Sequence, residues 1–226
     1  MPDAGFIHLP MPGFDLSLLP QEPDLSFEIE LWKAGLPSIA GIDEAGRGAL
    51  AGPVAAGAVI LPCDGNITGY LQGVRDSKQL IASKREVARE KILQYAAGWG
   101  VGFATAAEID QIGILPATRL AAIRALNALA VHPMHLLLDY LFLPEIPIPQ
   151  TALIKGDCRS LSIAAASILA KTSRDALMRE LDLNYPGYGF AAHKGYGTQA
   201  HRLALMRMGA SPVHRVSFAL FGESGY

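Results

Sequence analysis

The octapeptide Gly41-Ile42-Asp43-Glu44-Ala45-Gly46-Arg47-Gly48 carries an apolar run into two adjacent acids and then into a loop punctuated by glycine. Two carboxylates held close together raise each other's pKa, so such a pair at a strand end is costly unless another charge compensates it. A divalent cation is the direct compensation. Taken alone, the pair also fits solvated turn chemistry. Successive strand residues point to opposite faces, so Asp43 and Glu44 can share an ion only where the strand breaks into the Gly46 loop. Two further segments tip the balance toward metal chemistry. His135-Leu136-Leu137-Leu138-Asp139 drives another apolar run into an acid, and Lys155-Gly156-Asp157 places a fourth just before a helix. Parallel neighbouring strands end at one edge of a sheet, where α/β folds collect functional groups, so four carboxylates can converge. Ligation by oxygen alone suits Mg2+ or Mn2+, whereas zinc calls for histidine or cysteine.

The elements that must position these acids can be read from periodicity and punctuation. Ser26 is placed to cap a short helix that Gly35 ends, and strands are expected over 38–43 and 53–61. Ser83-Lys84-Arg85-Glu86 matches a capping box and predicts a helix that ends at Gly98, followed by a strand over 101–104. Pro116 suits the first turn of a helix reaching Ala130, and strands are expected over 135–139 and 152–155. Apolar positions from Ile163 to Leu181 predict a long, mostly buried helix from Ser160 to about Leu183, stopped by Pro186. Within it, the run Ala164–Ser167 reads as core packing that lets the helix approach a sheet. A last helix should span 198–208 and end at Gly209. Strands interleaved with helices indicate an α/β fold with a mixed sheet.

The chain has 226 residues, half of them hydrophobic and 18% charged, which is enough to bury a core and too apolar for disorder. Pro2, Pro10, Pro12, Pro20 and Pro23 make the leader an irregular arm. The division that follows is an arm with a short helix over 1–36 and one domain over 37–226. No uncharged run is long enough for a membrane span, and the first basic residue is Lys33, too late for a secretory signal, so a cytoplasmic protein is expected. Cys63 and Cys158 lack zinc or disulfide spacing and read as small buried thiols. The net charge of −2 excludes a strongly basic nonspecific nucleic-acid binder. Charge is uneven, however: residues 1–44 hold eight acids and one base, whereas residues 184–226 hold one acid, four bases and three histidines.

The glycine-flanked acid pair, with the following Leu50-Ala51-Gly52-Pro53-Val54, resembles the signature of ribonuclease HII, the type 2 ribonuclease H family. The likeness extends through Asp76-Ser77-Lys78, Lys155-Gly156-Asp157, Ser162 to Lys171, Arg174-Asp175, Tyr185-Pro186, His193 to Thr198 and His214-Arg215. It implies an α/β, ribonuclease H-like fold: a central mixed β-sheet flanked by helices, plus a C-terminal helical segment that binds substrate. It also implies an endonuclease that cuts RNA in RNA/DNA hybrids and incises 5′ of single ribonucleotides in duplex DNA, leaving 3′-hydroxyl and 5′-phosphate ends. Two divalent ions, Mn2+ or Mg2+, would serve the reaction, held by Asp43, Glu44, Asp139 and Asp157. Carried over by position, Gly46, Arg47 and Gly48 would approach the ribose 2′-hydroxyl, the group that distinguishes RNA from DNA. Tyr196 would bond that hydroxyl and pack on the following deoxyribose.

There are departures from the family pattern. Ala49 stands where proline is frequent, Tyr140 follows the third acid where glycine is usual, and Gly113 stands near an expected asparagine. Lys78 and Lys194 fit phosphate contacts or solvated positions, and Asp175 reads as a partner in an ion pair. His201 and His214 read as structural. Ribonuclease HIII is the nearest rival, but the leader is shorter than its usual N-terminal domain. A hybrid-binding protein without turnover and a two-carboxylate glycosidase explain less of the pattern. A monomer is expected.

Overall fold

The computed structural model describes residues 19–221, so Pro2, Pro10 and Pro12 of the expected arm lie outside the described residues. Within them, α1 (Ser26–Lys33) precedes a five-stranded sheet built from β1 (Ile39–Ala45), β2 (Val54–Ile60), β3 (Gly98–Ala104), β4 (His135–Asp139) and β5 (Gln150–Leu153). The spatial order is β3-β2-β1-β4-β5. β1, β2 and β3 pair antiparallel, while β4 and β5 run parallel to β1. The sheet is therefore mixed, and the C-terminal ends of β1, β4 and β5 share one edge.

Helices cover both faces. α5 (Ile114–Asn127) places Ala117, Ala121, Ala122 and Ala125 against Ile42, Ala56, Ala58 and Leu138. On the opposite face α6 (Leu161–Asn184) sets Ala164, Ala165 and Ala166 against Val59 and Leu61, together with α3 (Ala82–Tyr95) through Ala88 and Ile92. The small-residue run thus packs closely, as its composition predicts. α2 (Ile67–Tyr70), α4 (Ala106–Ile112), α7 (Phe190–His193) and α8 (Gln199–Met208) complete the described helices. Helix α6 is capped by Ser160, which accepts from the Ile163 N–H, and α8 by Thr198, which accepts from His201 N–H.

Several local expectations shift. Gly98 opens β3 instead of ending α3, and two further glycines on this strand answer a close helix approach: a Cβ at Gly100 or Gly102 would lie 2.2 Å from the Ala125 or Ala121 carbonyl oxygen of α5. The Ser83 capping pattern is unused. α3 starts at Ala82, and Arg85 reaches back to the Ser77 and Leu80 carbonyls instead. A complete capping box occurs at α4, where Thr105 and Glu108 bond reciprocally. At α1, Asp24 and not Ser26 supplies the accepting side chain, to the Ser26 N–H. β5 ends two residues early, and a 3-10 turn over Gly156–Cys158 carries the chain into α6. The cysteines are not buried thiols: Cys63 is exposed, in the turn after Pro62 where β2 has already ended, and Cys158 is half-buried. Among the described residues no helix is long and apolar enough to cross a membrane.

α1 is bound to the sheet domain. Buried Glu28 accepts from the Ser160 and Ser162 hydroxyls and the Ser162 N–H through Oε1, tying α1 to the start of α6. Burial raises its pKa, and those bonds oppose the shift.

Candidate active site

Three elements deliver three acids to the shared edge. Asp43 lies on β1, Asp139 closes β4, and Asp157 sits in the 3-10 turn before α6. One carboxylate oxygen from each lies within 4.8 Å of the others. Period-two alternation explains the meeting: Ile39 and Leu137 pack together on the α6 face, and Asp43 and Asp139 follow them at even spacing on their own strands.

The same alternation sets Glu44 apart. The β1–β2 ladder continues to Ala45 opposite Ala55, so the strand does not break before Glu44. Glu44 therefore falls on the face of Ala40 and Ile42, and its Oε1 pairs with Arg47 Nη1 at 3.1 Å. It remains electrostatically close to the cluster, because its charge raises the pKa of both Asp43 and Asp139.

The cluster is short of positive charge. Burial, followed by the charges of Glu44, Asp139 and Asp157, holds the Asp43 carboxyl well above the usual carboxylate range, against hydrogen bonding from Ser167. Burial and the Asp157 charge push Asp139 up to about 6, although Gly156 N–H donates to its Oδ1 at 2.8 Å. Lys78 offsets part of this, its Nζ lying 3.7 Å from Asp157 Oδ2. Burial lowers its pKa, but Asp43, Asp157, Asp76 and Asp139 outweigh that and raise it. Asp43 Oδ2, Glu44 Oε2 and Asp157 Oδ1 are buried without a hydrogen-bond partner, three of the seven such side-chain atoms among the described residues. Buried polar atoms of this kind normally find partners. Unpartnered oxygens on a donor set made only of carboxylates fit a hard divalent cation.

Beside the acids, the Gly46–Gly48 loop is held from behind. A Cβ at Gly46, where φ is +91°, would lie 1.9 Å from Arg174 Nε, so only glycine fits there. A Cβ on Gly48 would meet nothing within 4 Å, leaving that face of the loop open. The segment carrying Tyr196 docks onto the loop, as Leu50 N–H and Ala51 N–H both donate to the Gly195 carbonyl. The Tyr196 ring, 38% exposed, has the Arg174 guanidinium 5.5 Å and the Lys171 ammonium 5.9 Å from its centroid. Lys194 donates to the Ala191 carbonyl. The Lys78 side chain is largely exposed and that of Arg47 about half so.

Asp175 stands as read, in an ion pair. Its partners are Lys171 one turn earlier at 2.6 Å and Arg85 of α3 at 3.3 Å. Sequence reading missed Ser167, assigned to packing alone. It is buried on α6, bonds Ser77 at 2.9 Å and supports the Asp43 carboxyl. A hydroxyl in an otherwise alanine run was the available signal, because a buried hydroxyl needs a partner.

The family model for ribonuclease HII matches residues 40–221. A ribonuclease HII from Desulfitobacterium hafniense (strain Y51) is 57% identical over 192 residues, covering 85% of this chain and 72% of its own length. One from Chloroflexus aurantiacus is 55% identical, covering 87% of this chain and 93% of its own. Among solved structures, the ribonuclease H2 of Pyrococcus horikoshii OT3 superposes with a TM-score of 0.67 at 25% identity, over 81% of this chain and 95% of that one. Bst-RNase HIII in complex with Mn2+ shares the fold, with a TM-score of 0.62 at 18% identity, over 81% of this chain and 68% of that one. With the strand-end acids assembled on this fold and the match running from β1 past α8, the chain belongs to the ribonuclease HII family of metal-dependent endonucleases.

Proposed function

We propose that this endonuclease hydrolyses the RNA strand of RNA/DNA hybrids and incises 5′ of single ribonucleotides in duplex DNA, leaving 3′-hydroxyl and 5′-phosphate ends and so removing ribonucleotides from DNA. The observation that carries the reading is the meeting of Asp43, Asp139 and Asp157, with Asp43 Oδ2 and Asp157 Oδ1 buried and unpartnered. Those three acids, with Glu44 alongside, would hold two Mg2+ or Mn2+ ions. When bound, the ions supply a water of lowered pKa and charge stabilisation at the attacking and leaving oxygens.

The protein's own groups set specificity. The open backbone of Gly46 to Gly48 gives a ribose close access to main-chain polar groups, and the docking of Gly195 on Leu50 brings Tyr196 beside that loop. Tyr196 thereby reads the 2′-hydroxyl through its phenol and the next deoxyribose through its ring. Arg47, Lys78 and Lys194 meet phosphates. The basic C-terminal segment extends the nucleic-acid surface of a domain over 37–226, to which α1 of the arm over 1–36 is tied through Glu28. The enzyme acts as a monomer in the cytoplasm.

The test is a cleavage assay on four end-labelled duplexes: all DNA, all RNA, hybrid, and DNA with one ribonucleotide. Cutting of the last two alone, dependent on Mg2+ or Mn2+ and abolished by chelator, is expected. Cutting of all-DNA duplex, or full activity in excess chelator, contradicts the reading.

A further inference from the structure

Among the described residues only three that are not glycine have a left-handed backbone: Tyr140 (φ +49°), Lys155 (φ +54°) and Lys194 (φ +53°). All three flank proposed site residues. Tyr140 follows Asp139, Lys155 precedes Asp157 by two positions, and Lys194 precedes Tyr196 by two. A side chain with a Cβ is unfavourable in this region, and such conformations persist where the surroundings over-determine them. Local turns account for the two lysines. The Lys155 carbonyl accepts from Cys158 N–H at 3.0 Å in the 3-10 turn, and Lys194 N–H donates to the Phe190 carbonyl at 2.9 Å to close α7.

Tyr140 has no comparable return from the fold. Its N–H donates to the Leu153 carbonyl at 2.9 Å, a bond glycine would make equally well. Its ring is 66% exposed, and among the described residues its side chain makes no hydrogen bond, ring stack or cation contact. Tyr70, also exposed, differs in this respect, since it stacks on Tyr95 with centroids 4.6 Å apart. The cost at Tyr140 is therefore not offset by packing.

Its location supplies a use. Tyr140 stands between the ends of β4 and β5, immediately beyond one of the three clustered acids, and the exposed Lys155 lies two residues past the end of β5. Before cations bind, those acids repel a polyanion. An aromatic face attracts a base or sugar without charge and regardless of sequence. We propose that Tyr140 is a substrate-contacting residue, its exposed ring packing on a nucleotide that flanks the scissile phosphate, with the left-handed backbone retained to set the ring there. This rests on the nuclease reading above.

The two costs oppose each other, which makes the test sharp. Tyr140→Gly and Tyr140→Asn both suit a left-handed backbone and remove the ring, while Tyr140→Phe keeps the ring. Steady-state kinetics on the single-ribonucleotide duplex with Mg2+, alongside melting curves, should show KM raised about tenfold for the Gly and Asn variants. Their kcat should stay within twofold, with melting temperature unchanged or higher. The Phe variant should match wild type. KM within twofold of wild type in the Gly and Asn variants overturns the proposal. So does a lowered melting temperature or loss of folding in both, which would make the ring a packing element. A wild-type enzyme that cuts neither the hybrid nor the single-ribonucleotide duplex defeats the functional reading itself, whereas normal wild-type cleavage with unaltered KM in the variants defeats Tyr140 alone.

Discussion

The acid edge and the arginine–histidine framework behind the Gly46 loop both bury charge-bearing groups, and they treat them in opposite ways. At the acid edge, carboxylate oxygens of Asp43, Glu44 and Asp157 are buried without partners. In the framework, fully buried Arg174 donates to the Pro53, Lys194 and Ala51 carbonyls, and fully buried Arg215 to those of Gly52, Arg47 and Gly46. The histidines are equally complete. Ser211 N–H must donate to His214 Nδ1, so the His214 proton sits on Nε2 and points at His201 Nε2, 3.0 Å away. His201 then carries its proton on Nδ1 and donates to the Tyr196 carbonyl. One region is hydrogen-bonded to completion without ligand; the other is left unfinished for cations.

Substitution should separate the two most strongly at Asp43 and Asp139. Asp43→Asn or Asp139→Asn should reduce kcat by orders of magnitude at saturating Mn2+, with an unchanged or slightly raised melting temperature of the metal-free protein, because like charges are removed. Near wild-type turnover would remove that acid from the site. Arg215→Met should do the reverse to stability. It takes a donor from three carbonyls, of which Gly46 alone keeps another, the Ala49 N–H, and urea unfolding should show a loss of about 3 kcal/mol or more.

How much of this was legible in the sequence follows from contact range. Asp43, Asp139 and Asp157 could be found because each ends a local apolar pattern and parallel pairing does the rest. Glu44 could not be placed, since that depended on β1 pairing two residues past its expected end at Asp43. The framework was invisible for a related reason: Arg174 sits beside Asp175 in sequence, yet its partners lie 121 and 123 residues away at Pro53 and Ala51, while Asp175 faces Lys171 and Arg85. Glycines mislead in the same way. Gly98 looks like a helix stop until β3 is seen to begin there, with Gly100 and Gly102 facing α5.

A smaller effect is expected at Tyr196, where the two regions touch. Tyr196→Ala should lower kcat/KM at an isolated ribonucleotide much more than it lowers Mn2+ affinity, with Tyr196→Phe in between, since a site that bonds a hydroxyl discriminates through it. Equal losses on hybrid and single-ribonucleotide duplexes, with a lowered melting temperature, would make Tyr196 a turn anchor.

The smallest effect is on the pH dependence of the metal-free protein, and it has opposite signs in the two regions. Asp139 titrates near 6 when folded, above its ordinary value, so the folded state binds more protons than the unfolded one, and its contribution is lost as pH rises from about 4 to 6. Burial lowers His201 to about 4, so its contribution is present above about 6.5 and is lost as pH falls toward 4. Melting curves from pH 4 to 7 should therefore fall more steeply toward acid in Asp139→Asn than in wild type. Parallel curves would contradict the assignment.

The most direct test of an unfinished acid edge is a calorimetric Mn2+ titration of metal-free protein at pH 6, repeated in buffers of different ionisation enthalpy. Asp43 and Asp139 are held above the usual carboxylate range, so binding should release protons in wild type. Release should be smaller in Asp139→Asn, and affinity sharply lower in Asp43→Asn. Binding without proton release, or with an affinity indifferent to Asp43→Asn, would contradict the account.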